Sequence, residues 1–148
     1  MDFQQAEHDI QHLLVEKKKR NCLQRVVDYL YVTFDVYSWV GIYLLQGEVL
    51  VLHSWRGQQA TEHTEIPLGE GVCGAAAASG KTEIVDDVKA DDRYLACFLS
   101  TQSEIVVPIW KHGKVVGEID IDADQRNAFT SQDAVFLEKV ADMLSTHI

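Results

Sequence analysis

The sequence predicts a single-domain α+β fold, a mostly antiparallel β-sheet with helices packed on it. Three observations carry this. Both ends of the chain place apolar residues three and four positions apart, the spacing of one helix face. The middle consists of short apolar or alternating segments rich in β-branched and aromatic residues. Those segments are joined mainly by hairpin-sized turns rather than helical crossovers, which favours antiparallel pairing. The 148 residues are enough for one domain with a sizeable core, and 47% apolar content with only two prolines argues for a compact chain. No internal repeat or linker divides it.

The elements follow in order. Ile10, Leu13, Leu14, Leu23, Val26, Val27 and Leu30 predict one helix over residues 3–31, with Cys22 near its apolar stripe. "YSWVGIYLL" and "GEVLVLHSW" read as two strands joined through Gln46 and Gly47. A polar loop, "RGQQATEHTEIP", leads to "LGEGVCGAAAASG", where the alanines after Cys73 favour a short helix with little side-chain bulk. "TEIVDDV" is a short strand, and "KADDRYLACFL" is a loop that carries Cys97. "SEIVVPIW" and "KVVGEIDIDA" form strands around the turn "KHG". "TSQDAVFLEKVADMLSTHI" closes the chain as a helix, with Thr130 as N-cap and Asp133 three residues on.

Composition narrows the function classes. A net charge of −10 disfavours nucleic acid and anionic membrane as partners, because phosphate recognition needs clustered cations. The one basic run, residues 16–20, reads as a solvated helix face. The N-terminus lacks the basic start and apolar middle of a secretory signal, and no run approaches the roughly 18 apolar residues of a membrane span, so a cytoplasmic protein is expected. In that compartment three cysteines would remain free thiols. No metal-ligand spacing is assigned among the cysteines and histidines, and no bound cofactor is expected.

Chemistry concentrates on the last strand. In "GEIDIDA", Glu118, Asp120 and Asp122 share one face and Ile119 and Ile121 the other. The plainer reading is that the acids face water. If they line a pocket, mutual repulsion and burial raise at least one pKa and create a proton donor near neutral pH. Glu104, an acid opening an otherwise buried strand, favours the pocket. A hard cation held by Glu104, Asp120 and Asp122 is the alternative use of these oxygens. Trp39, Trp55 and Tyr43 supply aromatic surface, as core or as the apolar walls of a small-molecule site. Cys73 and Cys97 could each be inert, or could meet and cycle between dithiol and disulfide. His53 and His63 form no catalytic arrangement.

Taken together, "SWVGIYLL", "PLGEGVCGAAAASGKTEIVDDV", "YLACFLSTQSEIVVPI" and "GKVVGEIDIDADQRNAFTSQDAVFLEKVADML" resemble a GAF domain. More narrowly they are similar to the free methionine-(R)-sulfoxide reductases, which are single GAF domains. The resemblance spans residues 39–144 and implies about six mostly antiparallel strands between helical layers, often in a homodimer. It implies Cys97 as the catalytic thiol and Cys73 as its partner. Glu104, Asp120 and Asp122 would be the acids that hold substrate and assist proton transfer, with Trp39 and Tyr43 on the pocket wall. Free methionine sulfoxide would be the substrate, and thioredoxin or a small thiol the external reductant. Two positions depart from the family: His63 stands where a resolving cysteine is usual, and Phe98 follows Cys97 in place of an aspartate. Cys73 is then the remaining candidate resolver. The alternative is a non-catalytic GAF domain that binds a small molecule or senses redox state for a partner signalling protein. Cyclic-nucleotide binding gains little from so acidic a pocket.

Overall fold

A computed structural model describes residues 2–15, 21–95 and 98–148. The basic run at 16–20 and the catalytic candidate Cys97 lie outside the described residues. In chain order the elements are helices α1 (Phe3–Val15) and α2 (Cys22–Thr33), then strands β1 (Trp39–Gln46), β2 (Val49–Gly57) and β3 (Glu65–Pro67). Helix α3 (Gly71–Ser79) and strand β4 (Glu83–Val85) precede a 3-10 turn at Val88–Ala90, and β5 (Ser103–Lys111), β6 (Lys114–Ala123) and helix α4 (Ser131–Ser145) complete the chain. No helix among the described residues is long and apolar enough to cross a membrane.

The six strands form one antiparallel sheet in the order β3-β2-β1-β6-β5-β4. The β5–β6 hairpin turns through His112 and Gly113, at φ 53° and 75°, the positive pair that a tight two-residue hairpin requires. Strand parity divides the molecule into two cores. Val40, Ile42, Ile105, Val107, Ile119 and Ile121 pack under α1, α2 and α4. The opposite face carries Trp39, Tyr43, Leu50 and Val106 and is covered by Val72, Cys73, Ala76 and Ala77 of α3. The small residues of α3 serve this second layer. A Cβ on Gly74 would lie 2.6 Å from the Pro67 carbonyl oxygen, so only glycine permits so close a contact between helix and strand.

Two elements differ from the sequence reading. The single helix expected over 3–31 is two helices, because Asn21 adopts the left-handed conformation (φ 66°, ψ 42°), which a right-handed helix cannot contain. Strand β3 lies inside the segment read as a polar loop. It pairs at only three positions, Glu65, Ile66 and Pro67 against Val51, Leu50 and Val49, too few for an alternating pattern to register. The expected cap of α4 is present as a capping box. Gln132 N–H donates to Thr130 Oγ1 at 3.2 Å, and Thr130 N–H donates to Asp133 Oδ2 at 2.9 Å.

Candidate active site

The register of β1, β6 and β5 builds the acidic patch row by row. Tyr43 lies opposite Glu118, which lies opposite Pro108; Gly41, Asp120 and Val106 form the next row, and Trp39, Asp122 and Glu104 the third. The four carboxyls therefore share one face within three adjacent rows. That face is not solvated. Glu104, Glu118, Asp120 and Asp122 are 5%, 0%, 3% and 3% exposed, so the plainer reading of the acids as a wet strand face fails. The cover is α3, which sets the Cys73 sulfur and one oxygen each of Glu104 and Asp120 all within 4.8 Å of one another.

Burial dominates the electrostatics. It pushes Glu104, Glu118 and Asp122 well above the usual carboxyl range, and the negative charge of Asp120 raises each of them further. Asp120 is raised less, because hydrogen bonds from Glu104 and Cys73 favour its charged form. The patch thus holds carboxyls that burial biases toward the protonated form around one, Asp120, that is biased less. Cys73 is likewise pushed well above the usual thiol value, first by burial and then by the charges of Asp120, Glu118 and Glu104. It rests as a thiol. One oxygen each of Asp120 and Asp122 and Trp39 Nε1 are buried without a hydrogen-bond partner among the described residues, and the Glu118 oxygens have only the weakly donating Cys73 thiol.

Two cavities meet the patch. The larger, about 380 Å³, is lined by Trp39, Phe98, Thr101 and Asp122 together with Asp35, Gln58 and Asp124. No lysine, arginine or histidine lines it among the described residues. The smaller, about 10 Å³, sits between Tyr43, Val72, Cys73, Leu95, Glu104 and Asp120. Trp39 stacks on Trp55 (centroids 6.4 Å, 12°) and tilts against Phe98 at 6.0 Å. Its indole lies flat on β1 and β2 because Gly41 and Gly57 leave room. A Cβ at either would fall 2.3 Å from a ring carbon.

Glu104, Asp120, Asp122 and Cys73 come together, Trp39 walls the larger cavity, and Tyr43 walls the smaller while its hydroxyl donates to the His63 carbonyl at 2.7 Å. Cys97 lies outside the described residues; Leu95 lines one cavity and Phe98 the other. Cys22 packs with the core on the helix-covered side, across the sheet from Cys73. Glu118 was missing from the predicted site although its parity with Asp120 and Asp122 signalled it. The reading also passed over a His-x3-His pair: His8 and His12 on α1 approach to 3.2 Å between their Nε2 atoms.

Comparison with known proteins agrees with this geometry. The GAF domain family matches residues 20–148. The free methionine-R-sulfoxide reductase of Escherichia coli (strain K12) is 35% identical over 115 residues, 78% of this chain and 68% of that protein. The solved type II free methionine-R-sulfoxide reductase from Thermoplasma acidophilum is 39% identical with a TM-score of 0.83, covering 93% of each chain. The X-ray structure of the Neisseria meningitidis free methionine-R-sulfoxide reductase, in complex with its substrate, is 33% identical with a TM-score of 0.91, covering 97% of this chain and 86% of that one. The chain belongs to the GAF domain family and, within it, to the free methionine-R-sulfoxide reductases.

Proposed function

We propose that the protein reduces free L-methionine (R)-sulfoxide to methionine at the expense of thiols. The observation that supports this best is the patch of buried carboxyls beside a thiol, one member of which, Asp122, lines an aromatic-walled cavity. A sulfoxide sulfur accepts a thiol nucleophile only as its oxygen is protonated, which calls for a carboxylic acid kept neutral by burial. Glu104 has that character. The outer cavity is of small-ligand size, and Asp35 and Asp124 on its wall, beside Asp122, suit the ammonium end of a free amino acid.

In this reading Cys97 attacks the sulfoxide sulfur while a carboxyl of the patch gives its proton to the oxygen and later regains one from the cysteine. The net step converts Cys97–SH and sulfoxide into Cys97–SOH and methionine: the substrate gains two electrons and the cysteine loses two. Cys73–SH then attacks the sulfenic acid, the S–S bond forms, and the hydroxyl leaves as water. An external dithiol, thioredoxin or a small thiol, restores both cysteines. A cytoplasmic setting and a homodimer belong to the same proposal.

The test is turnover of each free epimer with dithiothreitol, read as methionine by chromatography. Conversion of the R epimer, abolished in Cys97→Ser, is expected. Absence of turnover of that epimer with both dithiothreitol and thioredoxin would overturn the reading.

A further inference from the structure

The inner cavity poses a separate problem. At about 10 Å³ it holds one water-sized occupant and cannot take an amino acid. Its walls bring together Cys73, Glu104 and Asp120, whose donor atoms lie within 4.8 Å of one another, and Glu118 adjoins the same thiol. All four are at least nine-tenths buried. Asp120 Oδ1 has no hydrogen-bond partner among the described residues, Glu118 meets only the weakly donating Cys73 thiol, and no described basic side chain lines the cavity. Acids crowded into a dry interior with open lone pairs and no described counter-cation are accommodated there by holding protons, which a bound cation would displace. A single divalent ion would satisfy the charge and the open lone pairs together.

We infer that Cys73, Glu104 and Asp120, with Glu118 as a fourth donor, form a site for a divalent thiophilic ion of the Zn²⁺ class. One sulfur with carboxylate oxygens suits a borderline-soft ion of coordination number four. The hard-cation alternative, with Asp122 as a ligand, fits less well. Calcium asks for six to eight oxygens, and here a sulfur occupies the wall. Zinc binding releases the Cys73 proton and ties up its lone pairs, so the thiol is withheld from disulfide formation. The binding inference stands without the reductase reading; only its consequence for turnover rests on that reading.

The experiment titrates reduced, metal-free, full-length protein with Co²⁺ alone under nitrogen. A sulfur-to-cobalt charge-transfer band at one Co²⁺ per chain is expected, bleached by Zn²⁺. The band is lost in Cys73→Ser, retained in Cys22→Ser and Cys97→Ser, and formed at least about tenfold more weakly in Glu104→Gln. Cobalt at the His8–His12 pair gives no such band, so a His8→Ala, His12→Ala variant retains the signal. Zinc-edge X-ray absorption of the unaltered protein reads the same ligation without any variant; one sulfur among oxygens is expected, and coordination without sulfur overturns the inference. So does absence of the band up to about 1 mM Co²⁺, or its survival in Cys73→Ser. Saturating Zn²⁺ lowers sulfoxide turnover at least about tenfold, reversed by a chelator. Lost turnover with an intact cobalt spectrum counts against the reductase reading alone, and a missing spectrum with intact turnover against the metal site alone.

Discussion

Replacing Glu118 by leucine should stabilise the metal-free protein at neutral and alkaline pH. The Glu118 side chain is 0% exposed, and among the described residues its oxygens have only the Cys73 thiol, a weak donor, in place of a full hydrogen-bond partner. An unsatisfied buried polar group costs about 1–3 kcal/mol, and leucine fills nearly the same volume without it. At about 2–4 °C per kcal/mol for a chain of this size, the midpoint of thermal unfolding should rise by roughly 2–12 °C. The pH dependence is the sharper signature. Burial, and then the charge of Asp120, raise the folded-state value of Glu118 well above the usual glutamate range, so the folded protein binds the extra proton. The stability linked to that proton is fully present below the ordinary glutamate value near 4.3 and falls by about 1.4 kcal/mol per pH unit as pH rises toward the folded value. The leucine variant lacks this loss. Its advantage in urea unfolding, with chelator and reductant present, should therefore be small near pH 4.5 and larger at pH 8. A variant less stable than the parent by more than about 1 kcal/mol at pH 8, or one with a gain independent of pH, refutes the argument that this carboxyl is buried with its hydrogen bonding unmet.

Three further outcomes follow from the same geometry. Glu104→Gln keeps the shape but cannot give up a proton, so kcat should fall about 10²–10⁴-fold with KM changed far less; a loss confined to KM would place Glu104 in binding alone. In the parent enzyme kcat should decline on the alkaline side as the proton-holding carboxyl ionises, and a flat profile from pH 6 to 9 would remove that group from the rate-determining step. Gly41→Ala sets a Cβ 2.3 Å from the Trp39 ring, which must swing off the sheet. The expected result is a loss of about 1–3 kcal/mol in stability with a raised KM, and an unchanged KM would mean that Trp39 does not shape the substrate cavity.

Much of the molecule was legible in the chain because the relevant signals are local. The capping box at Thr130 and Asp133 spans four residues, and the hairpin turn through His112 and Gly113 depends on two. The parity that groups Glu118, Asp120 and Asp122 against Ile119 and Ile121 is a property of one strand. Helix α3 announced itself by its alanines. Breaks in such patterns were harder to see. Asn21 changes hand at a single residue, and β3 gains its identity from three pairs with β2 rather than from its own sequence.

Alternation along one strand settles which residues share a face, and so that three acids travel together on β6. It could not determine what covers them, because burial is a relation between distant segments. Water or protein over that strand decides whether Asp120 is an ordinary surface acid or part of a proton-holding cluster. The register across β1, β6 and β5 sets Glu104 beside Asp122, and the small-residue face of α3 carries Cys73 onto Glu104 and Asp120. Periodicity is written within a strand, whereas desolvation and charge coupling arise only when strands and helices pack together.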